Sequence, residues 1–305
     1  MKFHWFNLMP WPHLPADFRE KHRSVWVDVD SRLFDPVVGH KVYNDYLDLL
    51  EFAGDLGFDG LGINEHHQNA YGLMPSPQLM AATLARRTKK PSILLLGQSI
   101  ALYDPPTRVA EEMAMVDVIS GGRLIAGFPV GSSMDDNYAF GANPATLREK
   151  YREAHDLIRR AWSDPDVFAW NGKHTKLRYV NIWPRPIQNP PPVWVPGGGS
   201  IETWHFCAEQ NYNYSYLSFS GYVRGEQLMR GFWQRMEKCP NGVPYYLPHQ
   251  VWKPEHDPRG LGGDQISMAL SSWNLLYGYL GDPAVVANMR LLADYWLDHG
   301  MTGRE

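Results

Sequence analysis

The chain has 305 residues, with 29 Lys and Arg against 33 Asp and Glu for a net charge of -4. This length suits one α/β barrel domain, and the charge balance leaves no basic footprint for nucleic acid or an anionic membrane. Two cysteines, Cys207 and Cys239, are too few for a disulfide framework and lack a Cys-x-x-Cys spacing, so both are expected as free thiols in a reducing compartment. Prolines at Pro10, Pro12 and Pro15 interrupt the N-terminal stretch, and no apolar run approaches the roughly 20 residues of a membrane helix. A cytoplasmic protein acting on a small molecule is the expectation.

Residues Lys2 to Met9 read as a first strand, followed by a long excursion over 10–38 with no clean period, a length that suggests a lid over a binding site. From Val42, the positions Tyr46, Leu49, Leu50, Ala53 and Leu56 recur at helical spacing, with Gly57 as the closing glycine. Gly60–Ile63 is the second strand. Ser76-Pro77 opens a helix to Arg87, strand three starts at Ile93, and Asp104-Pro105-Pro106 opens a helix closed by Gly121-Gly122. After strand four, Leu124–Ala126, Asn143-Pro144 opens the clearest amphipathic helix, with Leu147, Tyr151, Ala154, Ile158 and Ala161 on one face. Phe168–His174 contains an Asn-Gly turn and predicts a hairpin; strand five is Val193–Val195 and strand six runs from Tyr212. Residues 222–275 read as irregular, with a poor seventh strand at Val243–Pro248, and a last helix follows at Pro283–Asp298. Strands alternating with helices imply a parallel sheet, and polar clusters at the strand ends imply a (β/α)8 barrel with one active rim. A single domain, 1–305, is expected.

Three clusters could carry chemistry. Asn64-Glu65-His66-His67 follows strand two, and its imidazoles fit acid–base work, a metal site or simple capping of the strand. The other strand exits offer amide, hydroxyl and glycine rather than His or Asp, which weighs against metal. Gly97-Gln98-Ser99 follows strand three, where a glycine lets a flat ring approach and an amide can bond its edge. Pro196-Gly197-Gly198-Gly199-Ser200 leads into a helix, whose N-terminal N–H groups favour an anion such as phosphate. A phosphate site, a ring site and an imidazole together suggest a flavin mononucleotide (FMN) pocket. The 12 tryptophans and 16 tyrosines fit an apolar pocket or bulky core filling.

With these motifs placed, the chain resembles the bacterial luciferase-like flavin-dependent monooxygenase family. The resemblance runs through Lys2–Phe6, Gly57–Gly60, Glu65–His67, Pro106–Arg108, Ile119–Leu124, Gly127–Gly131, Tyr138–Gly141 and Pro192–Trp204. It implies a (β/α)8 TIM barrel and a two-component monooxygenase that takes reduced FMN from a separate flavin reductase and uses O2 on a small organic substrate. One branch of the family uses the deazaflavin F420 instead, and a shortened relative binds flavin without catalysis. By motif, His66 resembles the catalytic histidine, Gly97 and Gln98 the strand-three contact with the ring, and Gly198, Gly199 and Ser200 the phosphate loop. Asn64, Val130 and Tyr138 are also expected around the cofactor, with no metal. Val130 stands where luciferase has a phosphate-clamping arginine, which implies weaker FMN retention. The resemblance further implies a homodimer. The pattern ends early, so either the chain is incomplete at its C-terminal end or the barrel closes differently.

Overall fold

A computed structural model describes residues 3–237, apart from Asn211 and 218–220. The chain begins with β1 (His4–Phe6), α1 (Phe18–Lys21), a short 3-10 turn (Ser31–Leu33), α2 (Pro36–Asp55), β2 (Gly60–Ile63), α3 (Pro77–Arg87) and β3 (Ser92–Leu95). A second 3-10 turn (Ile100–Leu102), α4 (Thr107–Ser120), β4 (Leu124–Gly127), α5 (Met134–Ala139) and α6 (Pro144–Ser163) follow. A hairpin of β5 (Phe168–Asn171) and β6 (Lys176–Val180) precedes β7 (Val193–Gly197), α7 (Ile201–Gln210), β8 (Asn213–Tyr216) and α8 (Gly221–Glu237).

Six strands form one sheet in the order β1-β2-β3-β4-β7-β8, every neighbouring pair parallel. All six C-terminal ends therefore open on one rim, the property that the chemistry requires. Strands sandwiched between layers need apolar residues on both faces, and β2 and β3 supply them, with Leu61, Ile63, Ile93, Leu94 and Leu95 fully buried. The helices start where side chains satisfy their first N–H groups. The Asp35 carboxylate accepts from Val37 N at 2.8 Å and Val38 N at 3.3 Å, and Asn143 Oδ1 accepts from Ala145 N at 3.0 Å. Each cap is followed by a proline in the first turn. α6 buries the five apolar residues that its sequence pattern predicts. α4 ends on Gly121 in the left-handed conformation, φ 73°.

The opposite, N-terminal edge is a floor of fixed contacts. Asp117, wholly buried, accepts from Gln188 N at 2.9 Å and Gln188 Nε2 at 2.7 Å, and Arg123 donates to the carbonyls of Ala85, Thr88 and Pro91. A cavity of about 630 Å³ lies at this edge, against His4, Ser92, Leu124, Trp194 and Asn213, far from the rim where His66 sits.

Three expectations change. The 10–38 segment is partly structured and anchored: Trp11 N donates to Ala70 O at 2.8 Å, Tyr46 Oη to Pro10 O at 2.7 Å, and α2 starts at Pro36 rather than near Val42. α4 opens at Thr107, with Pro106 as its cap and Asp104 outside. The irregular stretch expected over 222–275 begins instead as α8. Its glycines depress intrinsic helicity, but they allow close packing. A Cβ at Gly225 would lie 2.8 Å from the Tyr216 ring and one at Gly231 3.4 Å from Trp204, while Phe232 meets Trp204 edge-on at 5.8 Å. The poor strand at Val243–Pro248 and the helix at Pro283–Asp298 lie outside the described residues. No helix among the described residues is long and apolar enough to cross a membrane.

Candidate active site

At the exit of β2 the chain turns, and His66 N donates to Met74 O at 3.2 Å. Asn69 Oδ1 accepts from Tyr71 N and Gly72 N at 2.9 and 3.0 Å, closing a local turn, and Gly72 passes so near His66 that a Cβ there would come within 3.0 Å. His66 is buried, with Nδ1 3.0 Å from Asp135 Oδ2. The same oxygen accepts from His67 N at 3.1 Å and Asn69 Nδ2 at 2.6 Å. The predicted lid segment delivers Trp26, which stacks on Tyr71 at 4.4 Å and meets the His66 ring edge-on at 5.2 Å.

Glu65 couples this exit to the next. Its buried carboxylate accepts from Ser99 N at 3.0 Å and from Tyr103 Oη, and pairs with His67 Nε2 at 3.2 Å. Burial alone would depress the His67 pKa, but the Glu65 carboxylate 3.2 Å away and the charges of Asp136 and Asp135 outweigh it and hold the value above normal. Burial, reinforced by the Glu65 charge, pushes the Tyr103 phenol well up, so it remains a donor.

At the exit of β3 the Leu96–Gly97 peptide is cis. Gly97 is part-exposed, and a Cβ there would lie 2.6 Å from both Gly127 O and Pro129 Cδ, so the two strand exits touch only because the residue is glycine. Gln98 differs from expectation in its side chain. It is 1% exposed and its Oε1 accepts from Gln78 Nε2, so that oxygen is already engaged within the protein.

α5, which sequence reading missed, brings two carboxylates to His66. Ser133 caps it, with its hydroxyl donating to Asp136 Oδ2 at 2.8 Å, and the Ser-x-x-Asp spacing of Ser133–Asp136 was the available signal. Burial alone would raise the Asp135 pKa, but its hydrogen bonds with His66 Nδ1 and His67 N and the positive influence of His66 bring it down to about 2. Burial and the neighbouring Asp135 charge push Asp136 up to about 6. The premise that only amides, hydroxyls and glycines surround His66 is therefore corrected: His66, Asp135 and Asp136 offer ligand-type atoms within 4.8 Å of one another. The N–H groups of His67 and Asn69 already occupy the Asp135 oxygen nearest His66.

The remaining predicted residues follow the sheet order. Asn64 is buried beyond β2, its Oδ1 without a hydrogen-bond partner among the described residues. Val130 is half-buried beyond β4. Tyr138 is 69% exposed on α5. Gly198, Gly199 and Ser200 follow β7: a Cβ on Gly198 would meet nothing within 4 Å, and Gly199 holds φ +112°. Ser200 Oγ donates to Glu202 Oε2 at 2.6 Å, and Arg148 Nη1 stands 4.0 Å from the same oxygen. The glycine bend and the histidines thus share one rim, across adjacent strands β2, β3, β4 and β7.

Residues 25–228 match the model of the luciferase-like monooxygenase family. The chain belongs to that family. It is 29% identical over 180 residues to the oxygenase component of the flavin-dependent trigonelline monooxygenase of Acinetobacter baylyi, covering 56% of this chain and 48% of that protein. It is 28% identical over 167 residues to an F420-dependent glucose-6-phosphate dehydrogenase of Amycolatopsis mediterranei, covering 50% of this chain and 48% of that one. The crystal structure of monooxygenase RslO1 from Streptomyces bottropensis superposes with a TM-score of 0.62 at 24% identity, over 78% of this chain and 66% of that one, a likeness of fold. The chain spans about half the length of these two curated relatives.

Proposed function

We propose that this member of the luciferase-like family is an FMN-dependent monooxygenase that oxidises a small organic substrate with O2. The observation that carries the reading is the convergence of an imidazole, a glycine strand exit and a glycine helix entry on one rim of a parallel sheet. The residues fit a flavin. Gly97 is part-exposed at the β3 exit, Asn64 Oδ1 is a buried acceptor without a hydrogen-bond partner among the described residues, and Gly198 leaves the approach to the α7 N-terminus clear. Arg148 stands beside that loop and would supply the cation that Val130 does not, with the phosphate and Glu202 competing for it. Reduced FMN, when bound, would supply the activation of O2.

The chain's own residues would do the rest. Gly198, Gly199 and Ser200 would orient the phosphate end, and the backbone at Gly97 and Gln98 would set the depth of the ring. Trp26, Tyr71 and Phe140 would cover the mouth and keep water from the reacting atoms. His66 would move a proton, help worth roughly 100- to 10,000-fold when the group is well placed. The whole chain would form a single (β/α)8 barrel domain and a homodimer in the cytoplasm. It would receive reduced flavin from a separate reductase, a reading supported by the relative named as an oxygenase component.

The test is anaerobic mixing with reduced FMN and candidate substrates followed by an oxygen pulse, with product analysis, for wild type and His66→Ala. Oxygenated product that falls at least about 100-fold in the variant, with FMN affinity nearly unchanged, supports the reading. Tight FMN binding with no oxygen-dependent product would place the chain among non-catalytic flavin binders. The F420-dependent relative motivates a second reading, hydride transfer with F420, and absorbance titration with each cofactor separates the two.

A further inference from the structure

Asp135 lies 69 residues from His66 in sequence, so only the sheet order and the placement of α5 bring them together. We propose that Asp135 is the positioning residue for His66, accepting its Nδ1–H so that Nε2 is the ring nitrogen left to exchange a proton with a bound reactant. The inference rests on the reading of His66 as the proton-moving group and adds the residue that sets its tautomer and direction.

The argument is geometric. Asp135 is 2% exposed and directs one oxygen, Oδ2, at three nitrogens: His66 Nδ1 at 3.0 Å, His67 N at 3.1 Å and Asn69 Nδ2 at 2.6 Å. Two of these partners are donors by constitution, a backbone amide and a carboxamide, so the oxygen they share is an acceptor. The proton between it and the imidazole then belongs to Nδ1. An ionised carboxylate also favours this, since it has no proton to give. The backbone contact at His67 and the side-chain contact at Asn69 hold the carboxylate from both sides of the His66 turn, so it fixes the plane of the ring as well as its tautomer. Trp26 and Tyr71 pack edge-on to the same ring at 5.2 and 4.8 Å, leaving little room for it to rotate. Asp136, next in sequence, is engaged otherwise: its Oδ2 accepts from the Ser133 hydroxyl at 2.8 Å and Ser133 N at 3.4 Å. It neighbours His66 without bonding it. A carboxylate that holds the far nitrogen of a working histidine is an outer partner whose loss commonly costs about 10- to 100-fold, and up to about 10,000-fold where the wrong tautomer results.

The direct readout is the tautomer of His66 in the full-length protein without flavin, from ring-nitrogen NMR, with its resonances assigned by their loss in His66→Gln. Neutral His66 is expected as the Nδ1–H form in wild type, as Nδ1–H in Asp135→Asn, whose amide oxygen can still accept, and as a mixture or the Nε2–H form in Asp135→Ala. Asp136→Asn is expected to leave the tautomer unchanged. In the oxygenation assay Asp135→Ala should lower kcat at least about 10-fold, with Asp135→Asn recovering part of the loss and FMN affinity altered little. If wild-type His66 is Nε2–H, or if Asp135→Ala leaves it Nδ1–H, the inference is overturned while the role of His66 can stand. If His66→Ala oxygenates like wild type, the reading of His66 and this extension of it fall together. Should Asp135→Ala fail to fold, the wild-type tautomer alone decides.

Discussion

Asp136→Asn isolates the electrostatics of the site. Asp136 is 5% exposed beside a carboxylate that is already ionised, and its pKa is pushed from an ordinary 3.8 up to about 6. The folded chain therefore binds this proton more tightly than the unfolded chain does. The resulting stability is fully present below pH 3.8 and is lost as the pH rises through about 6. Each tenfold in proton affinity is worth about 1.4 kcal/mol, so ionising Asp136 in place costs the fold about 3 kcal/mol by pH 7. Asp135 acts in another window: its pKa falls to about 2, so its contribution is present above the ordinary 3.8 and is lost only as the pH falls toward 2. The two carboxylates titrate as a pair that keeps one proton in between, so it is the second ionisation that the experiment follows. Asparagine mimics the protonated acid in size and keeps an oxygen for the Ser133 hydroxyl. Urea denaturation of wild type and variant at steps from about pH 4 to about pH 7.5 should show the stability difference moving by about 3 kcal/mol in favour of the variant as pH rises. Contributions from distant groups cancel in that difference. Parallel profiles would refute the claim that the pair retains a proton in the folded chain.

Gly97→Ala should lower stability by about 1–3 kcal/mol in thermal or urea unfolding, since its Cβ would lie 2.6 Å from the Gly127 carbonyl and strands β3 and β4 would have to part. Glu202→Gln should tighten FMN binding a few-fold in fluorescence titration, because it removes a negative charge from the loop where Ser200 donates; high salt should shrink the gain. Tyr103→Phe should cost about 1–3 kcal/mol by leaving the buried Glu65 carboxylate one donor short, read as a lowered thermal midpoint. An unchanged midpoint would mean that Ser99 N and His67 suffice.

What could be read from the sequence and what could not divide along a physical line. The strand cores Gly60–Ile63, Ile93–Leu95, Leu124–Ala126 and Val193–Val195 were legible because a strand buried on both faces must be a continuous apolar run, and the α3 and α6 starts because Ser or Asn followed by Pro marks their first positions. Placing those strand exits on one rim then follows from parallel pairing alone, which is why His66, Gly97 and Gly198 could be grouped from chain order. The side chain of Gln98 was not legible, since its orientation depends on Gln78, twenty positions upstream and on a different layer. Nor was α8, whose glycines oppose a helix locally and favour it only through the rings of Tyr216 and Trp204 that they accommodate. The partnership of His66 with Asp135 belongs to the same class. The capping box at Ser133–Asp136 marks a helix start, but nothing local says that this helix ends up over the exit of β2. A strand exit supplies chemical groups, whereas the segments laid over it decide which ring nitrogen carries the proton and which carboxylate stays protonated. Spacing can therefore nominate His66, and only the packing of the β4–α5 connection against the β2 exit can give it a direction.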